Sequence, residues 1–417
     1  MSKKEKVLLG LILFFLFTLF FPRPVILTIV APALLVLYSL FYNPLKEKWE
    51  ALKQRRYLQG MLLFFAVVLT SVLLSSDLDK ALNFLDPRLT LFYLPLTVGT
   101  LQLRKDFRDN VLLGFALLTT AMCAICLSYG LNRSQFFAQP EFLYNDALTE
   151  ILGQQSIYIS LLVNLSIYIF AYFILFKPAK YKGLLVLATL FLFGMSYLLA
   201  SRIMMGTLYA ICLGFCFYYI LKRKKYLEGV TLLMGLLIGV FLIFKFFPQT
   251  LNRFKELTHT QFNYQSMGKE SHYNMEVTAD QWNGANFRMA AWRCGWELFK
   301  QHPLFGVRIG DKKDRLCEVY EEKSFRFAIE TNKNVHNNYL DILYSMGLTG
   351  LLVFLFGWII LPIAAAWKYS DGLAILIIIT FAAAWVTEIY FDRNLGGMLT
   401  GLLIPFVLTY TKKERQP

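Results

Sequence analysis

Repeated long apolar stretches are the feature that most constrains this chain. The first two, "VLLGLILFFLFTLFF" and "PVILTIVAPALLVLYSLFY", follow each other almost directly. A helix needs about 20 mainly apolar residues to cross a bilayer, and it satisfies its backbone hydrogen bonds internally, as lipid requires. Because the 417 residues are 57% hydrophobic, the sequence predicts an all-α, polytopic membrane protein.

The apolar stretches predict about twelve transmembrane helices. A cleaved signal peptide is an alternative for the first stretch, since "MSKKEK" precedes it. No small-residue cleavage site follows, so we interpret it as a retained span. The predicted spans are residues 7–22, 24–43, 58–75, 89–103, 110–130, 156–176, 184–200, 203–221, 229–247, 337–366, 373–390 and 396–411.

The formal charge of +14 would indicate a nucleic-acid partner in a soluble protein. Here the basic residues instead form clusters between spans, such as "KEKWEALKQRR", "RKDFR" and "KRKK", and every second connection is the basic one. This is the positive-inside pattern. It predicts two cytoplasmic termini and no binding of nucleic acid.

One long hydrophilic segment separates the ninth and tenth spans, on the side opposite the basic connections. It divides the chain into helices at 1–247, a loop domain at 248–336 and helices at 337–417. The four histidines lie in this segment or at its end: His259, His272, His302 and His336. The first half of the chain has no matching segment, which weakens the case for a transporter built from inverted repeats.

Within the loop, "ANFRMAAWRCGWELFKQHPLFGV" predicts an amphipathic helix from about Asn286 to Lys300. Arg288, Trp292 and Trp296 share one face at a spacing of four residues. Tryptophans of this kind suit a membrane interface. The face is either part of a functional site or simply the side on which the helix rests on the lipid headgroups.

Arg202 stands at the turn between the seventh and eighth spans, in "LLASRIMM", with no acidic residue nearby in the sequence. An arginine beside a span needs a partner, a watery cavity or a route to the surface. It is either a side chain that extends to the membrane surface or an anion site, since a guanidinium matches phosphate oxygens.

Glu388, Asp392 and Arg393 gather at the end of the eleventh span. Their spacing predicts that Glu388 and Asp392 share one helix face. Either carboxylate is suited to orienting a catalytic partner or an arginine, and a purely structural ion pair with Arg393 is the alternative.

His336 lies where the polar loop becomes the tenth span. A neutral imidazole at a water boundary can accept a proton from an attacking hydroxyl. Alternatively, the histidine only fills a turn while Asn334 or Asn337 caps the helix. The residues alone leave both readings open.

Two further features have structural and chemical interpretations. Asp77 and Asp79, in "SSDLDKAL", are either a weak divalent-metal motif or a capped helix start. Cys294 and Cys317 fall in the predicted outer loop, where a disulfide is allowed, although two free cysteines are the simpler alternative. We predict neither a metal nor a cofactor.

At these residues the sequence resembles the O-antigen ligase and polymerase family of bacterial membrane glycosyltransferases. The resemblance is carried by "VHNNYLDILYSMGLTGLL", by "NFRMAAWRCGWELFKQHPLFGV", by "LLASRIM" and by "TEIYFDRNLGG". It covers roughly residues 85–410 and is most specific between Met195 and Gly350.

The resemblance implies a GT-C-like membrane fold and a metal-independent, inverting transferase. The enzyme would take a glycan from undecaprenyl pyrophosphate and give it to the lipid A-core at the periplasmic face. Arg202 and Arg288 would bind the pyrophosphate, and His336 would activate or position the acceptor hydroxyl. Arg308 stands where a glycine is common in the family. The further candidate contacts with substrate are Arg88, Arg308, Asn337, Glu388 and Arg393.

Two other functions stay open. A polymerase of the same family would add repeat units to a lipid-linked chain instead of to lipid A-core. A twelve-span transporter or flippase belongs to another class, and it would be expected to keep ionisable residues near the middle of its spans. The candidate residues of this chain gather at one predicted membrane face, which favours a reaction at that surface.

Overall fold

A computed structural model describes residues 1–22, 25–178, 181–222, 224–246, 254–268 and 281–409. His272 and the predicted domain boundary at 247/248 lie outside the described residues. The described parts of the chain are helical and contain no strand. The helices are α1 (Lys3–Thr18), α2 (Val25–Tyr42), α3 (Leu45–Gln54), α4 (Arg56–Leu73), α5 (Leu78–Leu85), α6 (Thr90–Thr97), α7 (Lys105–Phe137), α8 (Asn145–Thr149), α9 (Ser156–Phe176), α10 (Lys182–Leu198), α11 (Arg202–Phe217), α12 (Tyr226–Phe246), α13 (Asn286–Gln301), α14 (Lys312–Glu322), α15 (Arg326–Glu330), α16 (Asn338–Phe354), α17 (Leu361–Lys368), α18 (Gly372–Ala384) and α19 (Asn394–Val407).

Six helical segments of the described chain are long and apolar enough to cross a membrane. They are Val25–Tyr42, Arg56–Leu73, Lys105–Phe137, Ser156–Phe176, Arg202–Lys222 and Asn338–Lys368. Four shorter apolar helices lie in the predicted seventh, ninth, eleventh and twelfth spans. The protein is therefore an all-α, polytopic membrane protein, and the count of twelve spans stays a prediction.

The predicted fourth span, residues 89–103, does not form one long helix. Helix α6 covers only Thr90–Thr97, and eight residues rise about 12 Å, far less than the ~30 Å hydrocarbon core. It packs against α19, where an added Cβ on Gly401 would lie 2.5 Å from the carbonyl oxygen of Thr90. After Thr97 the chain turns, and the N–H groups of Val98 and Gly99 both donate to the carbonyl of Leu94, at 2.9 and 3.1 Å.

The helices have two chemically different ends. At one end, the Arg55 guanidinium donates to the carbonyls of Leu101 and Thr409, at 2.9 and 3.3 Å, and the buried Arg108 pairs with Asp109 at 2.8 Å. Helix α4 begins beside Arg55 and runs to the other end, which we call the site end. All the candidate site residues described below lie there.

Residues 254–268 and 281–336 form what we call the loop unit, and it has its own apolar core. Trp282 is buried at its centre and donates its indole hydrogen to the carbonyl of Ser266, at 3.0 Å. Around it pack Phe287 and Phe325. The same cluster includes Leu340 and Tyr344 of α16, so the loop unit is anchored directly to the start of that helix.

Candidate active site

His336 and Glu388 form a hydrogen-bonded pair at the site end. The Nδ1 atom of His336 lies 3.0 Å from Oε2 of Glu388. The carboxylate side chain is 7% exposed and the imidazole 23%. An ionised carboxylate only accepts hydrogen bonds, so Nδ1 carries the hydrogen and Nε2 keeps its lone pair. The imidazole can therefore accept a proton at Nε2.

The backbone on the N-terminal side of His336 is fixed by two side chains. The Asn334 side-chain oxygen accepts from the N–H of His336 at 2.9 Å. The Trp292 indole donates to the carbonyl of Val335 at 2.8 Å. His336 itself has a φ of 45°, a left-handed conformation that L-residues seldom adopt. Trp292 thus positions the residue before the histidine.

Asn337 caps helix α16. Its side-chain oxygen accepts from the N–H of Leu340 at 3.0 Å, which satisfies one of the orphan donors of the first turn. The capping interpretation is therefore confirmed for Asn337, while His336 has a partner of its own in Glu388. Contact between Asn337 and substrate stays a prediction.

Arg202 and Arg288 come together around Gly284. A Cβ added to Gly284 would lie 2.5 Å from one terminal nitrogen of Arg202 and 3.2 Å from one of Arg288. Arg288 also donates to the Gly284 carbonyl at 2.7 Å. A side chain at this position would occupy the space of the two guanidinium groups, which would then have to move.

Glu256 is a site residue that the sequence did not reveal. Its carboxylate lies 3.2 Å from the guanidinium of Arg202, and both side chains are largely buried, at 6% and 11% exposure. The two residues are 54 positions apart, so no local spacing indicates the pair. Arg202 therefore has an acidic partner inside the protein.

Glu388 connects the histidine to the arginines electrostatically. Burial acts to raise the pKa of Glu388, but the hydrogen bond from His336 and the positive charge of Arg288 hold that pKa below its ordinary value of 4.5. Glu388 is thus the anionic partner of His336 at neutral pH. Together with the contacts around Gly284, this brings Arg202, Arg288 and His336 to one region.

The prediction that Glu388 and Asp392 share a helix face is wrong. Helix α18 ends at Ala384, and Asp392 lies in a short 3₁₀ turn, Tyr390–Asp392. The carbonyl of Trp385, which directly follows α18, accepts a hydrogen bond from the N–H of Asn338, the first residue of α16, at 2.9 Å. The start of α16 therefore contacts the end of α18. The two carboxylates consequently join different clusters.

Asp392 belongs to a buried cluster of two cations and two carboxylates, the buried tetrad: Arg88, Lys312, Asp341 and Asp392. Lys312 bridges both carboxylates, with closest distances of 2.8 Å to Asp341 and 2.8 Å to Asp392. Arg88 lies 2.6 Å from Asp392 and 3.6 Å from Asp341. The Asp392 side chain is 15% exposed; partial burial acts to raise its pKa, but Lys312 and Arg88 hold that pKa below its ordinary value.

The buried tetrad joins four separate segments of the chain. Arg88 precedes α6, Lys312 begins α14, Asp341 lies in the first turn of α16, and Asp392 precedes α19. Arg88, Lys312 and Asp341 are each 3% exposed or less. The predicted contact between Arg88 and substrate stays a prediction, and in the structure this guanidinium faces carboxylates. The sequence could have indicated that Asp341 has a cationic partner, because an acidic residue in an apolar segment needs one.

Arg308 and Arg393 occupy different environments. The Arg308 guanidinium donates to the carbonyls of Phe305 and Gly306, at 2.6 and 3.1 Å. Arg393 is exposed at the site end, directly before α19. Neither arrangement tests the predicted contacts with substrate.

The candidate metal motif at Asp77 and the candidate disulfide between Cys294 and Cys317 were the remaining sequence features of interest. Asp77 caps α5, accepting from the N–H of Lys80 at 2.9 Å, as the helix-start interpretation predicts. Cys294 and Cys317 are free thiols rather than a disulfide. Within the described ranges, no group of three or more histidine, cysteine or acidic side chains is arranged to hold a metal ion.

These features define an all-helical membrane protein with a histidine–carboxylate pair beside two arginines at one end of its helices. Residues 187–355 match the family model described as O-antigen ligase. The match contains Arg202, Arg288 and His336 and confirms the resemblance seen in the sequence, so this segment is similar to the O-antigen ligase family. No curated protein matches the chain.

Proposed function

We propose that this protein is a glycan ligase. It transfers a glycan from undecaprenyl pyrophosphate to a hydroxyl of the lipid A-core, at the periplasmic face of a bacterial inner membrane. The observation that carries the proposal is the grouping of the His336–Glu388 pair with two guanidinium groups that meet at Gly284. The O-antigen ligase match over residues 187–355 supports the substrate class.

On the acceptor side, His336 acts as the general base. Glu388 holds the hydrogen on Nδ1, so Nε2 is the atom that receives the proton of the attacking hydroxyl. A positioned base of this kind contributes roughly 10²–10⁴-fold to a rate. Asn334 and Trp292 keep the imidazole in place through the adjacent backbone.

On the donor side, Arg202 and Arg288 bind the pyrophosphate. The hydroxyl oxygen bonds to the anomeric carbon with inversion while the bond to the phosphate oxygen breaks, and the electron pair leaves with the diphosphate. Fixed donors that meet this developing charge lower the barrier without reorganising. Glu256 and Glu388 offset the formal charge of the two arginines, so binding depends on the direction of the guanidinium donors rather than on a large positive field.

The test is transfer in proteoliposomes with labelled lipid-linked glycan, with and without lipid A-core. A ligase gives product only when lipid A-core is present. A ladder of longer lipid-linked chains without acceptor would identify a polymerase instead. Movement of intact lipid-linked glycan across the membrane, without transfer, would identify a transporter.

The assigned residues are tested in the same assay. Arg202→Ala, Arg288→Ala and His336→Ala should insert normally and lose transfer by at least about 10²-fold. Wild-type rates in these variants would overturn the assignment. Loss of activity in EDTA that magnesium or manganese restores would contradict the metal-independent mechanism.

A further inference from the structure

The turn that follows α13, residues 302–309, is built into a break in helix α16. Gly347 interrupts α16 with φ 69° and ψ −171°. Across the break, the N–H groups of Val307 and Arg308 donate to the carbonyls of Tyr344 and Ser345, both at 2.9 Å. The turn thus donates to backbone carbonyls that the interrupted helix cannot pair.

The bonds also run in the opposite direction. The N–H of Leu348 donates to the carbonyl of Pro303 at 2.9 Å, and that of Thr349 to the carbonyl of Leu304 at 3.3 Å. Four backbone bonds therefore attach the turn to α16. A spanning helix can be broken at membrane depth only where other groups satisfy the freed backbone.

The position of the turn along the helices defines its depth. The N–H of Ile309 donates to the Ser71 hydroxyl at 3.0 Å, one turn or less from the end of α4 at Leu73. Arg308 binds Ser345 on one side of the break at Gly347, and Leu304 binds Thr349 on the other side, so the tip lies further along α16 than Arg308 does. The tip of the turn therefore lies below the end of α4, at a depth on the order of one helical turn.

The tip is apolar and exposed. Leu304 and Phe305 are 61% and 59% exposed. Next to them on α16, Leu348 and Leu352 are 43% and 45% exposed, and their four-residue spacing places them on one face. The apolar tip is thus continuous with the outer face of a membrane-spanning helix.

Arg308 forms hydrogen bonds with backbone carbonyls of the turn that would otherwise be unsatisfied in lipid. Its guanidinium donates to the carbonyls of Phe305 and Gly306 and lies 5.9 Å from the centre of the Phe305 ring. An unsatisfied carbonyl in hydrocarbon costs several kcal/mol. The arginine thus covers the exposed backbone of the turn.

We propose that Leu304 and Phe305 insert into the outer boundary of the bilayer and contact the acyl chains of bulk lipid. A depth of about one helical turn agrees with the ~5–10 Å at which apolar groups of interfacial helices lie. The insertion holds the loop unit against the membrane at the end of α13 opposite Arg288. It does not depend on the proposed transfer reaction.

The test is photo-crosslinking of the full chain in nanodiscs that contain a single phosphatidylcholine and no lipid-linked glycan. p-Benzoylphenylalanine replaces Phe305 in one variant and Leu304 in another, and lipid adducts are measured by mass. Leu352 serves as the lipid-facing reference, and the exposed Glu322 of the loop unit serves as the water-facing control. Each variant is first checked for the thermal unfolding profile of the wild-type protein.

We expect lipid adducts at 304 and 305 at a level comparable to position 352 and several-fold above position 322. The absence of adducts at both tip positions, in protein that labels at 352, would overturn the proposal. Adducts that form only after a polyprenyl diphosphate is added would also overturn it, because the tip would then be a substrate subsite. If one tip variant does not fold, the other decides the outcome.

Discussion

The Nδ1 atom of His336 is 3.0 Å from the carboxylate of Glu388, although the two residues are 52 positions apart and belong to different helix connections. The contact exists because the end of α18 meets the start of α16, where Trp385 accepts a hydrogen bond from Asn338. The positions of the proposed catalytic groups thus depend on how two helix ends join. A buried carboxylate that only accepts hydrogen bonds selects the useful tautomer of the histidine.

Replacing Glu388 should reduce transfer without removing the base. In Glu388→Gln, the amide no longer holds the Nδ1 hydrogen with a negative charge, so the Nε2 lone pair is less often available. We expect kcat to fall by roughly 10- to 100-fold, with little change in KM for either substrate. The measurement is steady-state transfer over a range of pH, since a purely structural role would not alter the shape of the pH profile. Asp79→Asn, an exposed carboxylate on α5, is the matched control.

Glu388 should also contribute to stability in a pH-dependent way. Its pKa is lower in the folded protein than the ordinary 4.5, so the unfolded chain binds more protons as the pH falls through this range. The stabilisation is therefore complete above the ordinary value and is lost on acidification below it. The difference in Tm between the wild type and Glu388→Gln should stay constant above the ordinary pKa of 4.5 and shrink as the pH falls below it. A difference that stays constant or grows below pH 4.5 would contradict the assigned ionisation.

Gly284→Ala should separate activity from folding. The new methyl group would lie 2.5 Å from the Arg202 guanidinium and 3.2 Å from that of Arg288. The ends of long side chains move more easily than backbone, so the fold should tolerate the change while the guanidinium groups shift. We expect at least about a tenfold loss in transfer with a Tm close to that of the wild type.

The control for Gly284→Ala is Gly194→Ala, because a Cβ at Gly194 meets no atom within 4 Å. That variant should transfer at the wild-type rate. Full activity in Gly284→Ala would show that the two arginines do not need their present positions. A large fall in Tm would instead indicate that Gly284 serves the fold.

The sequence predicted the helical membrane class because apolar length is a local property that lipid imposes directly. It also drew attention to Arg202 and His336, since polar groups beside spans stand out against an apolar background; the roles of these residues and of Arg288 stay predictions. Helix α13, Asn286–Gln301, matches the amphipathic helix predicted from about Asn286 to Lys300. The spacing of residues along the chain could not predict contacts between distant segments, such as the ion pair of Arg202 with Glu256.

Two sequence predictions failed for related reasons. The assumption of a continuous eleventh span placed Glu388 and Asp392 on one face, but the helix ends at Ala384 because another helix start binds its last carbonyls. The predicted fourth span instead contains the short α6, which ends at Thr97, where the N–H groups of Val98 and Gly99 both donate to the carbonyl of Leu94. In both cases apolar length alone did not predict where the helix ends.

Lys312→Met tests the buried tetrad. Lys312 bridges Asp341 and Asp392, so its loss leaves two buried carboxylates with Arg88 as the cation of the cluster. Removing one partner of a buried ion pair costs about 3–5 kcal/mol, and we expect a fall of that order in the free energy of unfolding in detergent. The exposed Lys313→Met is the matched control and should change little. In the double variant Lys312→Met/Asp341→Asn, one negative charge is removed with the positive one, so much of the loss should be recovered. Equal stability of all three variants would show that the tetrad does not hold the loop unit, α16 and the Asp392 turn together.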